Sequence, residues 1–156
     1  MNTTKQLAKH LRELYFGANW TCVNFEDTLN DITWQEAITK YQDFNTIAVL
    51  IFHSNYYINR VLKVLEGESL NASDKYSFDC PEITSNEEWE NFVQKTMNEA
   101  ELFAIKIENL DESKLDEIFS EEKYGDYFRN ILGIIKHAYY HLGQIALIKK
   151  CIRQKG

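Results

Sequence analysis

The stretch Phe44–Leu65, FNTIAVLIFHSNYYINRVLKVL, decides the fold class. Its centre, Ile47-Ala48-Val49-Leu50-Ile51-Phe52, reads as a buried strand when taken alone, because a short continuous apolar run has no period of its own. Length arbitrates. Ile58, Val61, Leu62 and Leu65 continue the apolar spacing over about twenty residues without a break, which suits a helix and overruns an ordinary strand. Gly67 then punctuates the C-terminal end. Apolar on several sides, this element is expected at the centre of a helical assembly.

Upstream, Leu7, Leu11, Leu14, Ala18, Cys22, Phe25 and Leu29 alternate steps of four and three, one apolar helix face. Gly17 is expected to kink or interrupt it, since glycine in a helix is about 1 kcal/mol worse than alanine. Cys22 reads as a small core filler. Thr33-Trp34-Gln35-Glu36 fits a capping box that opens a short helical turn ending before Tyr41. Downstream, residues 67–84 form the longest irregular link. Ser85-Asn86-Glu87-Glu88 is a second capping box, opening a helix with the stripe Trp89, Phe92, Val93, Thr96, Ala100, Phe103, Ile107 and Leu110. A polar loop from Asp111 to Asp126, with a turn near Leu115–Phe119, leads to a last helix from about Tyr127 to Ile152, capped by Asp126. Lys149, Lys150 and Arg153 there complement the negative pole of the helix dipole. Four long amphipathic helices in one domain spanning residues 1–156 predict an all-α four-helix bundle, in which facing helices supply any internal site.

Composition agrees. Six glycines and one proline are about 4.5% of the 156 residues, against roughly 12% in average usage, too few turn formers for a β-sandwich. Apolar residues are 44% of the chain, enough for a real core. The net charge of −7 and a pI near 5.1 disfavour nucleic acid and anionic membranes as partners. Met1–His10 lacks the apolar core of a signal peptide, and no run approaches the roughly 18 apolar residues of a membrane span. Cys22, Cys80 and Cys151 are scattered and never spaced as CxxC, which reads as free thiols in a reducing cytoplasm.

Of four histidines, three carry a pattern. His137 and His141 are four residues apart, so on a helix both rings lie on one face, one turn apart, within the stripe Ile134, His137, Ala138, His141, Ile145, Ile148. Spacing alone leaves two readings open: a metal pair, or two core-edge histidines bonded to carbonyls or tyrosines. His53, in the middle of the Phe44–Leu65 element, supplies a third imidazole. Three imidazoles from two helices can meet inside a bundle, and three histidines with an open fourth position are the arrangement of a catalytic zinc site. His10, near the chain start, is read as peripheral.

Two segments carry a family resemblance: Ile51-Phe52-His53-Ser54-Asn55-Tyr56-Tyr57, and His137-Ala138-Tyr139-Tyr140-His141-Leu142-Gly143-Gln144-Ile145. With them the chain resembles, over essentially its whole length, the DinB/YfiT-like metalloenzymes. The resemblance implies an up-down-down-up four-helix bundle that binds one divalent ion, often nickel or zinc, through His53, His137 and His141. It further implies a homodimer and a small-molecule substrate, with some relatives acting as transferases on low-molecular-weight thiols such as bacillithiol or mycothiol and others resembling hydrolases. Lys136 stands where similar sequences often carry an acidic residue. Adjacent helix positions are about 100° apart, so it is expected to point away from the site.

Absences narrow the chemistry. Ala138 follows His137, so there is no HExxH and no glutamate base between the ligands, and the paired Glu and Glu-x-x-His of di-iron bundles are missing too. Near the candidate ligands lie Asn130, Tyr56, Tyr57 and Gln144, each of which could orient a ligand or bind substrate, or simply bury a ring or bond neighbouring backbone. Glu87, Glu88, Glu121 and Glu122 read as solvated faces and caps. The leading expectation is a metal-dependent hydrolase or thiol S-transferase. The alternative is a non-catalytic dimeric metal-binding protein with a stress-linked or interaction role.

Overall fold

Short polar side chains at the helix ends divide this chain. In a computed structural model, which describes residues 2–154, α-helices run Thr3–Phe16 (α1), Phe25–Leu29 (α2), Trp34–Ile38 (α3), Ile47–Leu65 (α4), Asn86–Glu108 (α5) and Tyr127–Gln154 (α6), with no β-strand among the described residues. Thr46 opens α4: its hydroxyl accepts from the Val49 amide at 3.3 Å, so the helix begins at Ile47, not Phe44, and Phe44 stays exposed outside the cap. At the other end Gly67 takes φ +91°, the Gly67 amide donates to the Val64 carbonyl at 3.0 Å, and the Glu68 amide donates to that of Lys63 at 2.9 Å. These two bonds form a Schellman motif, which needs a left-handed residue and explains the glycine.

The long N-terminal stripe breaks. α1 stops at Phe16, and the Asn19 side-chain amide donates to the Glu13 and Val23 carbonyls at 2.9 Å each, pinning a turn. Asn24 then caps a separate α2 by accepting from the Asp27 amide at 2.8 Å. Local side-chain bonds to the backbone here outcompete continuation of the helix. Cys22, in the turn between, is exposed at φ 55° and fills no core. The Thr33/Glu36 capping box is complete in both directions. Only half of the second one forms: Ser85 accepts from the Glu88 amide at 3.2 Å, but the Glu88 carboxylate turns to the Thr84 amide and hydroxyl. The turn in the polar loop is a 3₁₀ segment at Glu112–Asp116, slightly earlier than expected, and Asp126 caps α6 through the Arg129 amide at 2.7 Å.

α1 packs against α5, α4 lies against both α5 and α6, and α6 returns to α1. Their inward faces make one core, with Leu11, Leu14, Ile47, Ile51, Phe103, Ile107, Ile131 and Leu142 fully or almost fully buried. Each such side chain contributes about 1.5–3 kcal/mol by leaving water. Trp89 of α5 ties in the short helices by donating its indole N–H to the Ile32 carbonyl at 2.8 Å. Lys149 and Arg153 do more than face the dipole of α6. Lys149 reaches the Thr28 carbonyl and Asp31, and Arg153 reaches Asp31 and Glu36, latching the end of α6 onto the connection between α2 and α3. No helix among the described residues is long and apolar enough to cross a membrane.

Candidate metal centre

The packing of α4 against α6 brings His53, His137 and His141 together, each presenting Nε2 to the other two. His137 Nε2 lies 3.2 Å from His53 Nε2 and 3.0 Å from His141 Nε2, and all three nitrogens fall within 4.8 Å of one another. Two nitrogens bound at 2.0–2.1 Å to one tetrahedral zinc ion stand about 3.3 Å apart, so the spacing matches a shared cation. His53 and His141 are buried and His137 is half-buried. His10 is not part of this group: it is exposed and beside Glu13 at 3.4 Å.

The far nitrogens assign the tautomers of two rings. His53 Nδ1 faces the Ser77 carbonyl at 3.3 Å and the Ser77 hydroxyl at 3.1 Å. The carbonyl only accepts, and the hydroxyl already donates to the Asp74 carbonyl at 2.9 Å, so Nδ1 of His53 carries the proton and Nε2 the lone pair. His141 Nδ1 lies 2.7 Å from the Gln144 side-chain oxygen, whose amide nitrogen donates to the Tyr140 hydroxyl at 3.2 Å, giving the same assignment. Two lone pairs thus aim at His137 Nε2, where a single proton satisfies only one of them. A divalent cation among the three nitrogens satisfies all. Support for His137 is thinner, because its Nδ1 is buried with no partner among the described residues.

Burial, followed by the mutual repulsion of the rings, pushes the His137 pKa from 6.5 down to about 4. Burial is also the main cause that lowers His53 and His141, against the smaller opposing pull of the Ser77 bond on the first and the Gln144 bond on the second. All three are neutral near pH 7, the form in which imidazole ligates. An aromatic collar surrounds them. Phe78 stacks on His53 with ring centroids 3.9 Å apart, Tyr57 meets His53 and His137 edge-on at 5.2 Å, and Tyr140 meets His141 at 5.1 Å. The Tyr57 hydroxyl is held by the Asp74 carboxylate at 2.5 Å. Among the described residues only these three histidines form such a cluster, which leaves part of a cation's coordination shell for other molecules.

Of the four neighbours singled out by spacing, Tyr57 and Gln144 touch the histidines. Tyr56 instead accepts from the Ser73 amide at 2.9 Å, and Asn130 donates to the Tyr124 and Asp126 carbonyls at the start of α6. Lys136 is exposed, as its helical position requires. Of the contributors that sequence reasoning missed, Asp74, Ser77 and Phe78 belong to the irregular link, where no period marks a residue, and Tyr140 lies on α6 beside His141. A search of family models, curated proteins and solved structures finds no significant match to this chain.

Proposed function

We propose that the protein is a mononuclear metalloenzyme of the DinB-like kind, an up-down-down-up four-helix bundle holding one nickel or zinc ion on His53, His137 and His141. The observation that carries this reading is the meeting of three Nε2 atoms within 4.8 Å, that of His137 lying 3.2 and 3.0 Å from those of His53 and His141, which Ser77 and Gln144 make lone-pair donors. A cation held by three neutral ligands keeps its full charge, and when bound it acidifies a coordinated water or thiol and polarises a carbonyl. The chain's own residues hold the rings in register: Ser77 and Gln144 take the outer ring protons, and Phe78 and Tyr57 wall the imidazoles from water. The substrate is a small molecule, in a hydrolysis or a transfer to a low-molecular-weight thiol.

The test is metal content of protein purified without a histidine tag. About one divalent ion per chain is expected, with most of it lost in His137→Ala and in His141→Ala. A native protein that is metal-free and also refuses added zinc and nickel overturns the reading. Azide or a thiol added to the cobalt- or nickel-substituted protein should shift its visible spectrum. An unchanged spectrum would leave a closed, non-catalytic metal site.

A further inference from the structure

A second polar cluster lies between α4 and α5, in a cavity of ≈ 240 Å³ that none of the three histidines lines. Asn55 and Asn59 of α4 both donate their side-chain amides to the Glu99 carboxylate of α5. Arg60, one residue beyond Asn59, lies over the Tyr56 ring at 4.8 Å, and its buried Nε has no hydrogen-bond partner among the described residues. Asn55 Oδ1 is likewise buried and without a partner among these residues. Among the described residues the half-buried Arg60 and the exposed Lys95 form no ion pair, although both line the cavity with Glu99.

A buried guanidinium Nε–H and a buried amide oxygen left unmatched are unfavourable, and such groups in folded proteins normally have partners. The groups that line the cavity are of opposite kinds, and one unmatched atom belongs to each: Arg60 Nε and Asn55 Oδ1. Arg60 and Lys95 offer donors and positive charge, while Glu99 and Asn55 Oδ1 offer acceptors and negative charge. Water brings no charge of its own, and among the described residues none of Arg60, Lys95 and Glu99 forms an ion pair. A plain anion meets Glu99, and a plain cation meets Arg60 and Lys95. The volume is below the roughly 300–1,000 Å³ of pockets for drug-sized ligands, which restricts the occupant to a small molecule.

We propose that this cavity binds a small zwitterion of the α-amino-acid class. Its carboxylate sits on Arg60 and Lys95, its ammonium on Glu99 and Asn55 Oδ1, and an aliphatic side chain lies against Phe52 and Phe92. Calorimetric titration of the whole chain with glycine, alanine and valine, beside acetate and methylammonium, tests it. At least one amino acid should bind saturably, and acetate and methylammonium at least about tenfold more weakly, since each lacks one charge-assisted set of hydrogen bonds. Arg60→Gln and Glu99→Gln, shown to be folded by circular dichroism, should each lose at least about tenfold in affinity, whereas His137→Ala retains it. Saturable binding by none of the amino acids, or acetate binding as tightly as the best of them, overturns the proposal. The panel on the unaltered chain decides by itself should either variant fail to fold.

Discussion

The side-chain oxygen of Gln144 lies 2.7 Å from Nδ1 of His141, one helical turn earlier on α6. This contact fixes which ring nitrogen carries the proton and turns Nε2 toward the other two imidazoles. Outer partners of this kind typically account for a 10–100-fold factor in metal affinity, so Gln144→Leu should weaken zinc binding by about that much. Gln144→Glu keeps the acceptor and should bind at least as tightly as the parent. Competition against a chromophoric chelator measures both. Equal affinity in the Leu variant would mean that packing alone orients His141.

That pair was legible in advance because it lies on one helix, where a separation of three residues is a contact. The same holds for Tyr57, one turn beyond His53. Periodicity likewise identified the all-helical fold and the faces of α4, α5 and α6, because the core selects every third or fourth residue. It failed where a single polar side chain outcompeted it. Asn19 and Asn24 stop and restart the N-terminal helix although the apolar spacing runs on through Leu29. Asn130 shares a face with His137 by count, yet carbonyls at the start of α6 claim its amide. Ser77 and Phe78 reach His53 only because the link between α4 and α5 folds back over the site, a tertiary event with no local signature.

The depressed histidines make the stability of the metal-free protein depend on pH. In the unfolded chain all three titrate near 6.5, whereas in the folded chain all are lowered and His137 takes a proton only at about 4. As pH falls below about 6.5 the unfolded state binds protons that the folded state refuses, so stability decreases with decreasing pH. The contribution is complete above about pH 6.5 and is lost progressively down to about pH 4. Urea midpoints across that range should fall for the parent chain and fall less steeply for His137→Ala. Parallel curves would show that His137 takes up its proton at the same pH in the folded and the unfolded chain.

Trp89 joins α5 to the connection between α2 and α3 through the 2.8 Å bond from its indole N–H to the Ile32 carbonyl. Trp89→Phe keeps most of the ring's burial but leaves that carbonyl without its donor. The expected loss is about 1–3 kcal/mol, the range for stranding a buried polar group. Denaturant unfolding should show a lower midpoint at an unchanged slope, because the area exposed on unfolding hardly changes. A stability equal to the parent's would mean that water replaces the indole at the Ile32 carbonyl.

Gly67 ends α4 in the left-handed region at φ +91°, and a Cβ added there meets nothing within 4 Å. Gly67→Ala therefore isolates the backbone term: no clash, only the penalty of a left-handed L-residue, about 1–2 kcal/mol. Gly67→Asn should lose less, since asparagine tolerates this conformation best among side chains of its size. The Schellman bonds also set the direction in which the link leaves α4 on its way to Ser77 and His53. If the link follows that exit alone, zinc affinity should drop along with stability in the Ala variant. If the contacts of Ser77 and Phe78 with His53 hold the link by themselves, stability falls while the affinity of the folded protein stays at the parent value. Chemical denaturation and chelator competition on the same preparation separate the two, and the 3.9 Å stacking of Phe78 on His53 argues for unchanged affinity.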